Sequence, residues 1–324
     1  MKSWPDQLKY DPLPPLLASQ NPAINYFTRR ELLNQINLPP PDFANLPAVA
    51  NLLRRQQSDG SWHYPADKGL SQANYHQLET YRNLGVLVDK YGFDRTSKVV
   101  RRAAAFLFTF QTLSGDFRGI YGTQYTPNYS AAIMETLVRA GYAGDNHILK
   151  GFEWLLANRQ DDGGWAIPLR TRGLKMDAAS LTADTVEADK SMPFSHLVTG
   201  IVLRAFAAHP DLRHLEEARK AGNLLVSKLM LKDNYPNDRG AALYWFKFTF
   251  PFWFTDLISA LDSLSLLGFN PEEPQIHAAL NWFRESQLPG GSWGLNILKQ
   301  ASDPDTALWL HLAICRVFKR FYGG

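Results

Sequence analysis

The stretch Tyr244 to Phe254, YWFKFTFPFWF, carries eight aromatic side chains in eleven residues and runs directly into Thr255 and Asp256. A carboxylic acid beside aromatic faces has chemistry available to it. Kept protonated, the acid can deliver its proton to an alkene, and π faces can shelter the resulting carbocation without offering a lone pair to attack it. Asp256 is therefore the first candidate acid, with Phe252 and Trp253 beside it as substrate-binding faces. The same ingredients recur near the end of the chain. On a helix expected to open at Pro304, Asp305, Trp309, Leu312 and Arg316 fall at three-and-four spacing and share one face. Both aspartates equally suit a helix first turn, where the dipole favours negative charge.

Other chemistries find no footing. No phosphate-binding glycine loop, serine hydrolase elbow or dinucleotide fingerprint occurs. The eight histidines lack metal-ligand spacing, and His311 with Cys315 four residues on reads as a buried pair on one helix, so neither metal nor cofactor is expected. Asp177 and the run DTVEADK, Asp184 to Lys190, lack the spacing of a cation-binding diphosphate motif and read as a solvated loop, with Arg170 and Arg172 as ionic partners. The 34 basic and 31 acidic residues are dispersed, giving a formal charge of +3 without the runs that bind nucleic acid. The opening MKSWPDQLKYDP is neither a secretory signal nor a transit peptide, and a single cysteine suits a reducing compartment. No stretch approaches the roughly 18 apolar residues of a spanning helix. The expectation is a soluble cytoplasmic protein, with peripheral membrane contact left open and oligomeric state unread.

What must position these residues is a repeat. QQSDGSW (Gln56–Trp62), QTLSGDF (Gln111–Phe117), RQDDGGW (Arg159–Trp165) and QLPGGSW (Gln287–Trp293) share one spacing from glutamine position to glycine to aromatic. The preceding helices carry RAAAFL from Arg102, KGFEWL from Lys150 and HAALNW from His277; a degenerate copy holds Lys220, Ala221, Leu224 and Leu225. Glycine supplies the backbone freedom for a tight helix exit, and the aromatic pins the turn onto a neighbour. After each turn a second, more apolar helix is expected: Gln72 to Tyr91, Pro127 to Ala140, Pro193 to Ala208, Pro251 to Leu267 and Pro304 to Phe321, with an N-terminal helix from about Pro22 to Gln35. A short segment near Leu13 to Ala18 completes the count of first-type helices. Six such hairpins closing on themselves make an all-α, single (α/α)6 toroid over residues 1–324, with an irregular insert at about 167–192.

The turns and the K-G-x-x-W-L approach resemble those of the prenyltransferase and squalene-oxidase repeat superfamily, the terpenoid-cyclase and protein-prenyltransferase toroids. The resemblance covers nearly the whole chain. It implies that the N-terminal ends of the inner helices ring an aromatic-lined central cavity holding an isoprenoid or similar hydrophobic ligand. On that rim it places His76 with Gln77, Tyr125 with Asn128 and Tyr129, Ser195 with His196 and Thr199, and Tyr26 with Arg29. His76, Tyr125, Tyr129, His196 and Trp309 join Phe252 and Trp253 as expected substrate-binding residues. The segment SDPDTA, Ser302 to Ala307, matches the end of the cyclase motif D-x-D-D-T-A and adds Asp303 to Asp305 as a candidate acid, but Pro304 stands where the family's proton donor would be. The family's zinc set is not reproduced, because Cys315 lies ten residues after Asp305 rather than two after an aspartate. The implied function is acid-initiated cyclisation or isomerisation. The alternatives are a non-catalytic lipid-binding or scaffold toroid, a prenyltransferase β-like subunit, or a carbohydrate-active toroid using paired carboxylates.

Overall fold

In the computed structural model, which describes residues 3–66, 72–235, 244–298 and 303–323, the chain is all-α. Among the described residues there are isolated β-bridges but no strand. The helices are α1 (Leu13–Leu17), α2 (Pro22–Phe27), α3 (Pro47–Arg54), α4 (Gln72–Tyr91), α5 (Lys98–Phe108), α6 (Pro127–Leu137), α7 (Asn146–Ala157), α8 (Pro168–Thr171), α9 (His196–Ala208), α10 (Glu216–Ser227), α11 (Leu257–Leu266), α12 (Pro274–Glu285) and α13 (Thr306–Tyr322). They fall into two compact units, one of Met1–Phe43 with Gly222–Gly324 and one of Ala44–Ala221.

The four repeated turns have one construction. In each, the residue after the glutamine position donates its N–H to the carbonyl four residues on, as Gln57 to Ser61 (2.8 Å), Thr112 to Asp116 (2.8 Å), Gln160 to Gly164 (2.8 Å) and Leu288 to Ser292 (2.9 Å). The glycine N–H returns to the carbonyl of that same residue: Gly60 to Gln57, Gly115 to Thr112, Gly163 to Gln160 and Gly291 to Leu288. All four glycines have positive φ, from +81° to +111°, a region that L side chains avoid. Where the aromatic is tryptophan, its indole N–H donates to the carbonyl ten residues back, Trp62 to Leu52, Trp165 to Leu155 and Trp293 to Phe283. The turn is thereby tied to the helix it leaves.

The same glycines set how closely one hairpin meets the next. A Cβ at Gly60 would fall 2.2 Å from the Arg102 carbonyl oxygen, and one at Gly115 would fall 2.7 Å from that of Lys150. These are the residues that open the RAAAFL and KGFEWL signatures. Gln56 and Gln111 seal the joint, each Nε2 donating to its own turn glycine and across to Val99 or His147. Gly291 instead meets the Asp11 carbonyl, where a Cβ would lie at 2.0 Å, and Gln287 Nε2 donates to Tyr10 O at 2.9 Å. The N-terminal segment thus takes the place of the next first-type helix. Replacing Gly115 with alanine is expected to cost roughly 2 kcal/mol, read as a lower urea midpoint at unchanged slope. An unchanged midpoint would mean that the turn relaxes freely.

Several helix boundaries differ from expectation, each for a local reason. Pro251 does not open a helix: the Phe250–Pro251 peptide is cis, residues 251–256 are irregular, and α11 begins at Leu257 behind Asp256. The last helix begins at Thr306 rather than Pro304; Ser302 lies outside the described residues. α9 starts at His196, three residues after Pro193, because the Ser195 hydroxyl accepts the Val198 N–H as its cap. α2 and α6 each pass into a π-helical turn, Thr28–Leu32 and Val138–Tyr142, instead of running on as regular helix.

Candidate functional site

In the unit of Met1–Phe43 and Gly222–Gly324, aromatic rings join into a continuous wall. Phe252 meets Phe250 edge-on at 5.4 Å, and Phe250 stacks on Trp309 at 5.7 Å with planes 4° apart. Trp309 continues to Phe27 at 6.4 Å, Phe27 stacks with Phe43 at 6.1 Å, and Phe43 meets Tyr26 edge-on at 5.6 Å. The Arg316 guanidinium lies 5.5 Å over the Phe27 ring while its Nε bonds Glu31 at 2.6 Å. Phe250, Trp309, Phe27, Phe43 and Tyr26 are buried, whereas Phe252 and Trp253 are half-buried. Such a wall offers quadrupole-rich faces at one end to an apolar or cationic ligand.

The three candidate acids stand differently. Asp256 is fully buried and caps α11. Its Oδ1 accepts the Ser259 N–H at 2.8 Å, and the Ser259 hydroxyl returns a contact of 2.9 Å to the Asp256 N–H. Asp305 stands at the N-cap position of α13 without a side-chain capping bond and is half-buried, its Oδ2 accepting from Asn21 Nδ2 at 2.8 Å, with Trp309 one turn further along. Asp303 accepts the Asp305 N–H at 2.8 Å, so it shapes the approach to the helix. Of the three, Asp305 is the carboxylate on the helix that carries the central ring of the wall. Asp256→Ala is expected to cost about 1–2 kcal/mol of stability through the lost cap, with Asp256→Asn retaining most of it; equal losses in the two variants would refute the capping role.

In the unit of Ala44–Ala221 the expected rim residues are engaged individually. His76 Nδ1 accepts the Tyr64 N–H at 3.0 Å and its ring stacks on His63 at 4.2 Å. Burial, then the neighbouring His63 charge, lowers its pKa below the usual histidine value. Tyr125 donates to Glu187 Oε2 at 3.0 Å and accepts the Ala188 N–H at 3.3 Å, and burial pushes its hydroxyl up to about 12. Tyr129 donates to Gln77 Oε1 at 3.2 Å and meets Tyr121 edge-on at 5.5 Å. His196 is fully buried in the first turn of α9.

The acidic insert leaves Asp177, Asp184 and Glu187 exposed, as a solvated loop does, while its backbone is tied to the rest of the unit. Gln124 Nε2 donates to the carbonyls of Ser180 and Asp184, the Val186 N–H donates to Gln124 Oε1, and Gln160 Nε2 holds the carbonyls of Asp189 and Met192. Arg172 reaches Asp189 at 3.6 Å, as its position upstream suggested. In the third turn Arg159 replaces the usual glutamine, and Gln160 ties the turn to the insert rather than to a neighbouring helix. The signal for this was present in the sequence, since Gln160 sits one residue off the repeat's glutamine register. Among the described residues no group of histidine, cysteine, aspartate and glutamate could hold a metal ion, and no helix is long and apolar enough to cross a membrane.

No family model matches the chain, and no curated protein matches it. Among solved structures, it is similar to the type II terpene cyclase MstE from Scytonema, with 12% identity over 84% of this chain and 95% of that one and a TM-score of 0.34. A variant of that cyclase in complex with geranylgeranyl dihydroxybenzoate is 13% identical over 92% of this chain and 99% of that one, with a TM-score of 0.36. A novel alpha-amylase from Clostridium perfringens is 13% identical over 85% of this chain and 79% of that one, with a TM-score of 0.43. Overlap this shallow carries no argument about the reaction of this chain.

Proposed function

We propose that the protein binds an isoprenoid chain or a comparably hydrophobic molecule, with the wall from Phe252 to Tyr26 as the contact surface. The observation that carries this reading is the Phe250–Trp309 stack at 5.7 Å, extended on both sides by further rings and ending in half-buried Phe252. The repeat's resemblance to the terpenoid-cyclase toroids supports the same ligand class. Purified protein extracted into organic solvent is expected to release a polyprenyl species visible by mass spectrometry. Phe252→Ala is expected to weaken binding of geranylgeraniol about tenfold, equivalent to about 1.4 kcal/mol, with little change in melting because Phe252 is half-exposed. Undiminished affinity in that variant removes the wall from the site.

Acid-initiated cyclisation is the second reading, favoured by the position of Asp305 one turn before Trp309. Asp305 and Asp256 are each engaged in the fold, accepting from Asn21 Nδ2 and from the Ser259 N–H, so both carboxylates have a structural task. Binding without turnover is therefore the better supported of the two. Incubation with squalene, farnesyl diphosphate and geranylgeranyl diphosphate tests catalysis directly: product formation lost in Asp305→Asn and kept in Asp256→Asn would establish it. Absence of product from all three would leave the binding reading alone.

A further inference from the structure

None of residues 172–193 is buried, yet the stretch from Ser180 to Met192 is closely bonded to the rest of its unit. Just before α6, the Thr123 N–H donates to the Leu181 carbonyl at 3.0 Å, Gln124 Nε2 donates to those of Ser180 and Asp184 at 2.9 and 3.0 Å, and Gln124 Oε1 accepts the Val186 N–H at 2.9 Å. Tyr125 donates to Glu187 Oε2 at 3.0 Å and accepts the Ala188 N–H at 3.3 Å. At the base, Thr171 Oγ1 accepts the Asp189 N–H at 2.9 Å, and Gln160 Nε2 donates to the Asp189 and Met192 carbonyls at 2.7 and 2.8 Å. Gly122 sets the closeness of the crossing, since a Cβ there would lie 2.0 Å from the Leu181 oxygen.

The kind of force that holds the stretch decides how it behaves. In α6 every residue but Asn128 is buried, and apolar packing fixes the helix. A stretch held by polar bonds beside water gains little from each of them, because water replaces the bond when the stretch lifts, while closing fixes the backbone of every residue in it. Its opening therefore lies well below global unfolding in free energy. The bonds are also interlocked: one Gln124 amide holds Ser180, Asp184 and Val186 together, and one Tyr125 hydroxyl holds Glu187 and Ala188. At one end stands Gly173, with φ of +70° and nothing within 4 Å of its Cβ position, and at the other the exposed Pro193. Such end positions can absorb the backbone change of a hinged motion.

We propose that residues 174–192 form a strap that opens and closes as one cooperative unit over the start of α6, latched by Gln124 and Tyr125 and hinged at Gly173 and Pro193. Lifting the strap bares Gln124 and Tyr125, both buried while it is down. The strap and its latches lie within the Ala44–Ala221 unit, so the opening is independent of the hydrophobic-ligand reading. The competing behaviour is a loop whose bonds break one at a time.

Native-state hydrogen exchange of the full chain, read residue by residue, separates the two. In wild-type protein the Val186, Ala188 and Asp189 amides are expected to exchange at one common rate, at least about a hundredfold faster than the amides of α6 and with a weaker dependence on urea. In Gln124→Ala all three are expected to speed up together by about tenfold, although Ala188 and Asp189 bond to Tyr125 and Thr171 rather than to Gln124. Tyr125→Phe, which loses only the hydroxyl, is expected to accelerate Val186 and Asp189 along with Ala188. Exchange of the three amides at the rate and urea dependence of α6 in wild-type protein, a comparison that needs no variant, overturns the proposal, because the stretch then opens only with the whole unit. Acceleration confined to Val186 in Gln124→Ala and to Ala188 in Tyr125→Phe also overturns it, because the bonds then break singly.

Discussion

Arg204→Ala is expected to lower the unfolding free energy by about 3–5 kcal/mol, measured as a shift of the urea midpoint at unchanged slope. Arg204 lies on α9 and Glu135 on α6, the two helices that are buried almost throughout their length. Their side chains are 1% and 9% exposed, and Nε stands 2.8 Å from Oε2. Removing the guanidinium leaves a carboxylate in an interior from which water is excluded, and that uncompensated charge dominates the cost. Arg139 tempers the loss, since its Nη2 remains 3.2 Å from the other Glu135 oxygen, so the value should fall toward the lower end of the range. The double variant Arg204→Met with Glu135→Leu removes both charges and should recover most of the stability, because well-packed apolar replacements of buried pairs are often neutral. If the double variant is as unstable as Arg204→Ala, the cost is one of packing and not of charge.

The second large effect concerns His311. It is buried on α13, edge-on to Trp293 at 4.8 Å, and burial pushes its pKa down to about 4 from 6.5, with the Pro12 backbone opposing in part. In the folded chain the ring is therefore neutral down to about pH 4, while in the unfolded chain it takes up a proton near pH 6.5. Between those values the unfolded state binds more protons, so stability falls as pH falls, by at most about 3 kcal/mol once pH 4 is reached. Above about pH 6.5 the group contributes no slope. Aspartates such as Asp59 and Asp94, whose pKa values are lowered from 3.8, act at the foot of this window and below, while His76, also lowered by burial, adds a slope of the same sign within it, so the wild-type profile is compared with that of His311→Leu. Denaturant titrations at pH 7.5, 6, 5 and 4.5 should show the decline in wild-type protein and a flatter profile in His311→Leu. A wild-type profile flat across the window would mean that His311 is reached by water.

The parts of the fold that could be read from the chain are those encoded by local residue type. Glycine at the fifth position of each turn announces a positive φ by short-range reasoning alone, whereas the tryptophan two residues later, expected to pin the turn onto a neighbour, gives its indole N–H to the helix the turn leaves. The start of α11 was equally local: Asp256 and Ser259 have the spacing of a capping box, a stronger marker of helix onset than Pro251. What escaped were partners separated by long stretches of chain. In three of the four turns the N–H of the aromatic is received by a hydroxyl on a second-type helix, Trp62 by Thr80, Phe117 by Ser130 and Trp165 by Thr199, and the sequence distances of 18, 13 and 34 residues have no common period. Glu135 and Arg204, 69 residues apart, are likewise invisible to any pattern. In the site, the aromatic run pointed to Phe252 and the spacing on α13 to Trp309, but Phe250, which links them, was one ring among eight until the fold set its plane against the indole.

Docking of the Gln287–Trp293 turn onto Tyr10 and Asp11 closes that turn with a distant stretch of the same chain. The surface that the earlier turns present to the next first-type helix is, at Gly291, filled by the Tyr10–Asp11 stretch of the same molecule. A protein trimmed past residue 18 would leave that surface bare, ready to accept the equivalent edge of another copy. A contact of that kind is head-to-tail rather than self-complementary, and repeated without closure it builds open-ended chains of molecules.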